Sequence, residues 1–204
     1  SYYPSDYSPN AGWADYYGNE DFLKAYPNDD RKEWNYMTEW KIKSGEIIPY
    51  TESADKLPAI SKYYDYDEGA PGKSAQSNGI TCIYRYAEVL LMYAEASTRA
   101  TNSVNQDALN AIQEVQKRAG YQDRQIELTT TTEPTAFLAA VSNERGWEFF
   151  AEMKRWFELV RLEKVKEVRA EEWDASTFNT NHHYYFPVPY QQVDLAGWTN
   201  NAGY

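Results

Sequence analysis

Apolar positions follow two unlike patterns along the 204-residue chain. From Ile80 onward they recur every three or four residues, the spacing that gathers them on one face of a helix. Over residues 1–79 they do not. Bulky rings there are scattered among Gly, Pro, Asn and Asp, a texture of loops and short turns. The periodic part predicts a strong helix from Ile83 to Ala100 and a turn at "TNSVNQD". Ser103 or Asn105 caps a second helix from about Gln106 to Ala119. Gly120 stands where a C-terminal cap belongs. The polar run "LTTTTE" leads to Pro134, at a first helical position. A third helix runs from Thr135 to about Phe150 and continues or restarts through "EMKRWFELVRLEKVKEV". In the first part only "KEWNYMTEWKIK" alternates, which predicts a strand from Glu33 to Ile42. The chain thus reads as one mainly α, irregular helical domain with long loops: an aromatic loop-rich part (1–79), a helical core (80–170) and an irregular tail (171–204).

Composition sharpens this picture at three points. The 19 Tyr, 7 Trp and 7 Phe are many for a chain this long. Tyr and Trp join an apolar ring to a polar tip, which suits half-wet binding surfaces. A net charge of −11 argues against nucleic acid, which requires clustered Lys and Arg, and against an anionic membrane surface. The single cysteine, Cys82, permits no internal disulfide and reads as a small buried hydrophobe at the start of the first helix. The opening "SYYPSDYSPN", without an initiator Met, reads as part of something longer.

Charge enters the helical core in two clusters. Arg85, Glu88, Glu95 and Arg99 fall in a stripe roughly 80° wide at about 100° per residue. Arg85–Glu88 and Glu95–Arg99 have the spacing of pairs that meet on a helix surface. A helix apolar over the rest of its circumference has neighbours on several sides. In "NERGWEFFAEMKRWFELVR", Glu144, Glu148 and Glu152 step by four, accompanied by Arg145, Arg155 and Arg161. Three such glutamates suit structural ion pairs or a carboxylate-bridged metal. The metal chemistry also needs Glu-x-x-His pairs, and no helix predicted here contains a His. A glycosidase pair is open on spacing alone, but carboxylates neutralised by Arg make poor general acids.

Lesser motifs carry less. Gly72-Lys73-Ser74 imitates the end of a phosphate-binding loop, but Asp67 stands where its first glycine belongs. Asp65, Asp67 and Glu68 form half a calcium loop without the distal Glu. His182 and His183 are adjacent and cannot close a zinc site alone. No Gly-x-Ser-x-Gly is present. No cofactor and no metal site is expected.

Taken in order, "YRYAEVLLMYAEAS", "ALNAIQEVQKRAG", "NERGWEFFAEMKRWFELVR" and "YYFPVPYQQVDLAGWTNNAGY" resemble the C-terminal half of the SusD/RagB family. Upstream, "NDDRKEWNY" and "PAISKYYD" resemble the family's Asp-x-Arg and Lys-Tyr landmarks. The terminal Asn200–Tyr204 departs from the pattern, with Asn for Gln and Ala for Pro. Gln113 and Gln116 stand where Asn and Arg are usual.

The resemblance implies a tetratricopeptide-containing α-fold whose N-terminal half, with its helix pairs and lipidated cysteine, lies outside these residues. It implies a non-enzymatic, lipid-anchored protein of the bacterial outer-membrane surface that hands glycan, or peptide, to a SusC-like TonB-dependent transporter. The partners are that transporter, an oligo- or polysaccharide, and the N-terminal half. The charged stripe then becomes a helix-packing device. The aromatic richness fits independently, because sugar rings stack on Trp and Tyr while Asn and Asp bond their hydroxyls. The expected ligand residues are Asn10, Trp13, Tyr16 and Tyr17, with Trp40 second. The alternatives are a scaffold half that docks the transporter and, remotely, a carboxylate-based hydrolase at Glu88 or Glu148.

Overall fold

A computed structural model describes residues 3–7, 12, 14–63, 80, 82–168 and 179–204. They divide into two compact units, Ser1–Glu152 and Met153–Tyr204.

In the first unit two short helices come first, α1 (Glu20–Ala25) and α2 (Asp30–Asn35). Each is capped by an acidic or amide side chain. Asn19 accepts from the Phe22 N–H and Asp29 from the Arg31 N–H. Four brief strands follow: β1 (Tyr36–Met37), β2 (Glu39–Lys41), β3 (Ile47–Pro49) and β4 (Ala59–Ile60). β1 pairs with β4 and β2 with β3, both antiparallel. The strand expected over Glu33–Ile42 is therefore replaced by the end of a helix and two strands. The Asp29 cap decides this by starting a helix where alternation alone suggested none.

Helices α3 (Tyr86–Thr101), α4 (Gln106–Arg118) and α5 (Pro134–Glu148) form the core. Leu91, Ala94, Ala108, Ile112, Val115, Phe137, Val141 and Phe149 pack together there. Alanines at the α3–α4 contact let the helices approach closely, and each large side chain buried contributes about 1.5–3 kcal/mol. Local signals place the ends. Asn105 caps α4 by accepting from the Ala108 N–H, and Pro134 opens α5. Gly120 follows α4 at φ +81°, a conformation that glycine adopts without strain.

Helix α3 starts three residues later than expected. Arg85 is extended, at φ −149° and ψ 161°, because its side chain reaches away to the end of α5. Cys82 accordingly lies in the extended lead-in and is exposed, not buried as the sequence suggested.

The second unit holds α6 (Arg155–Arg161), α7 (Val165–Val168), α8 (Thr180–His183) and α9 (Tyr190–Ala196). The C-terminal residues are stitched by side chains. Asn200 accepts from the Val188 and Asn201 N–H groups, and Asn201 donates to the Phe186 carbonyl. Tyr204 stacks on His182 at 4.2 Å, with its hydroxyl 3.0 Å from the His182 and Tyr185 carbonyls.

Candidate functional site

The end of α5 gathers charge from four distant segments. Arg31, on α2, donates to Glu144 and Glu148 at 2.7 Å each, and to Asp29 at 2.5 Å. Arg85 donates to Glu148 and, at 2.8–3.0 Å, to Glu152. Arg118, on α4, reaches Glu148 at 2.5 Å, and Lys62 reaches Glu152 at 2.6 Å. The same cations cap the helix. Arg85 and Lys62 donate to the Glu148 carbonyl at 2.6 and 3.1 Å, while Tyr26 and Tyr63 donate to the carbonyls of Trp147 and Ala151. Carbonyls left without partners at a helix C-terminus are thereby satisfied, and positive charge there is favoured by the helix dipole. Arg85 and Arg145 also lie over the Phe149 ring, at 4.6 and 5.2 Å.

Electrostatics follow from this wiring. Burial opposes ionisation of Glu148, but Arg85, Arg118 and Arg31 overcome it and hold the carboxyl below its ordinary range. Glu152 is held low in the same way by Arg85 and Lys62. Glu144 goes the other way. Burial raises it, opposed by Arg31, Gln116 and Tyr121, because it shares its cation with Asp29 and Glu148. The Glu144 and Glu148 side chains are 0% and 1% exposed. Glu88, facing Arg145 at 3.8 Å, is 8% exposed. The carboxylates weighed for hydrolysis are thus packed against arginines in the first unit. Among the described residues no group of three or more His, Cys, Asp or Glu is placed to hold a metal ion.

The aromatic surface lies elsewhere in the first unit. Tyr17 forms an antiparallel bridge with Ala59, and the Gly18 N–H donates to the Pro58 carbonyl at 2.8 Å. Successive residues of an extended segment face opposite sides. Tyr17 is therefore turned inward and half-buried, and Tyr16 is turned outward, 58% exposed. Burial, and then the neighbouring Asp55 carboxylate, raise the pKa of the Tyr17 hydroxyl. Asp55 in turn accepts from Ser5. Trp40 does not serve as a platform. It is 3% exposed, packs with Tyr7 and Ala59, and donates its indole N–H to Asp6 at 2.8 Å. A β2 residue facing inward became core. Asn10 and Trp13 lie outside the described residues, as do Asp65, Asp67, Glu68 and Gly72-Lys73-Ser74.

Sequence reading gave each α5 glutamate an arginine from its own neighbourhood. The structure instead brings Arg31, Lys62, Arg85 and Arg118 to them. The signal was present in "NDDR", "SKYY" and "YRYAE", whose charged residues converge on one helix end. Glu95–Arg99 forms as its spacing predicts, at 2.8 Å.

A family model described as the SusD family matches residues 2–204. The SusD-like protein P2 of Formosa agariphila is 28% identical over 201 residues, covering 89% of this chain and 39% of its own length. A SusD superfamily crystal structure from Parabacteroides distasonis superposes with TM-score 0.75 at 24% identity, covering 99% of this chain and 46% of that one. The surface glycan-binding protein A of Bacteroides uniformis superposes with TM-score 0.66 at 26% identity, covering 95% and 42%. The chain therefore spans less than half the length of the relatives it matches.

Proposed function

Because the chain belongs to the SusD family, we propose that it is part of a non-enzymatic glycan-binding protein of the bacterial cell surface. In this reading the protein is lipid-anchored at the outer membrane and delivers oligosaccharide to a SusC-like TonB-dependent transporter. The observation that carries the binding role is Tyr16. Its ring is exposed on a backbone fixed by the Tyr17–Ala59 bridge, as a stacking platform requires. Asn10, Trp13 and Tyr17 complete the proposed ligand set. The 26%-identical glycan-binding relative supports the ligand class. Among the described residues no helix is long and apolar enough to cross a membrane.

The test is affinity electrophoresis of the protein through soluble polysaccharides, alongside Tyr16→Ala and Trp13→Ala. Retardation by one glycan that both variants lose supports this site. Retardation that both variants keep moves the site to another part of the protein. Absence of retardation by any glycan favours peptide cargo or a scaffold role in which these residues dock the transporter. The half-buried Tyr17 is the observation on the scaffold side.

A further inference from the structure

Trp34, in the last turn of α2, is 62% exposed. One exposed ring by itself needs no explanation. Three features set this one apart. First, its backbone is fixed. Asp29 caps α2, the Asp30 N–H donates to the Ala119 carbonyl at 3.1 Å, and Arg31 and Asn35 are buried. The Trp34 carbonyl accepts from the Ser61 hydroxyl at 2.9 Å, and the Asn35 carbonyl accepts from the Ser61 N–H at 3.0 Å. A ring on so fixed a backbone loses little freedom when a ligand stacks on it. Second, its rim is polar. Asp30 lies one turn before Trp34 on the same helix. Arg124 reaches Asp30 at 2.8 Å and Glu33 at 3.4 Å, and all three side chains reach solvent. Donors and acceptors thus stand beside an apolar ring at the surface. That combination bonds sugar hydroxyls while the ring covers a C–H face.

Third, Trp34 and Tyr16 flank the same strand. Ala59 pairs with Tyr17 on one edge of β4 and with Met37 of β1 on the other. Tyr16 precedes Tyr17, and Trp34 leads into β1. Two strand spacings separate the flanking segments by about 10 Å, the reach of a few linked sugar rings. Carboxylates accompany both rings. Asp30 and Glu33 stand at Trp34, the exposed Asp15 adjoins Tyr16, and Asp55 neighbours Tyr17. Negative charge beside both rings repels uronate and sulfate groups and suits uncharged hydroxyls. We propose that Trp34 is a second stacking platform, and that it and Tyr16 hold two parts of one neutral glycan chain. This rests on the glycan reading above and adds to it a residue, a minimum chain length and a charge class.

The test uses the protein at the full length of its relatives and gels of soluble glucan, xylan, mannan and galactan, with polygalacturonate as the anionic probe. Retention by one of the neutral glycans is expected. Trp34→Ala and Tyr16→Ala should each weaken it about ten-fold, and Trp34→Phe should keep most of it. The urea midpoint of Trp34→Ala should equal that of the wild type. Hexasaccharide fragments of the retaining glycan should compete about ten-fold better than disaccharides for the wild type, and no better for Trp34→Ala. Full retention of either alanine variant overturns the inference; where Tyr16→Ala alone is released, the glycan reading stands without it. Stronger retention by polygalacturonate than by any neutral glycan overturns it as well. So does a Trp34→Ala protein whose urea midpoint falls along with its retention. Retention by none of the polysaccharides fails the glycan reading itself, and this inference with it.

Discussion

Arg31 and Glu144 stand 113 residues apart in sequence and 2.7 Å apart in space, both buried. Arg31 ties three buried carboxylates together, because it also grips Asp29 and Glu148. Removing one partner of a buried ion pair leaves uncompensated charge, which costs about 3–5 kcal/mol. Arg31→Met is expected to lose that much in urea unfolding. Glu144→Gln is expected to lose less, because an amide oxygen still accepts from Tyr121. The double variant should fall short of the sum, since both changes disrupt one network. Strict additivity would show that the two side chains act independently.

The pH dependence has a definite sign. Glu148 and Glu152 have folded-state pKa values below their ordinary value of 4.5. Their contribution is fully present above about that pH and is lost as pH falls through the lower, folded value. Glu144, raised by burial, works in the opposite sense and weakens the folded state as pH rises through its folded value. The protein should therefore melt at lower temperature on acidification below pH 4.5. Glu148→Gln should flatten that slope. A melting temperature equally steep in acid for wild type and variant would remove Glu148 from the account.

Much of the helical core was legible because its signals are local. Asn105 as a cap, Pro134 at the head of α5, Gly120 after α4 and the Glu95–Arg99 pair need only neighbours within a turn or two. The ion network was not legible, because the cations that reach Glu144, Glu148 and Glu152 lie 30 to 117 residues away from them. The same long-range pull on Arg85 delayed the start of α3 and left Cys82 exposed. Of the residues expected at a ligand site, Tyr16 is exposed. Trp40 is not, since alternation along a strand does not say which face meets the core. Bulk and polarity look alike in sequence on a platform and in a core.

Trp40 and Tyr16 should therefore respond differently to truncation. Trp40→Ala empties a buried site and breaks the bond to Asp6, at a cost of about 3–5 kcal/mol. Tyr16→Ala removes an exposed ring and should leave the urea midpoint unchanged while reducing retardation by glycan. A Tyr16→Ala protein that unfolds as easily as Trp40→Ala would identify Tyr16 as a packing residue.

Gly120, just after α4, lies against Asp30 at the start of α2. It has φ +81°, and a Cβ built there would lie 2.3 Å from Asp30 Oδ2. The Asp30 backbone is held by its N–H bond to the Ala119 carbonyl, while its half-exposed carboxylate can turn aside only by giving up its surface pair with Arg124 at 2.8 Å. Gly120→Ala thus combines backbone strain of about 1–2 kcal/mol with displacement of Asp30. The variant should lower the urea midpoint clearly, and shortening the neighbour in Gly120→Ala/Asp30→Ser should restore part of the loss. Restoration would assign that part to the contact with Asp30. A double variant no more stable than Gly120→Ala would leave backbone strain as the whole cause, and the close approach of α2 to this turn would then contribute nothing to the glycine requirement.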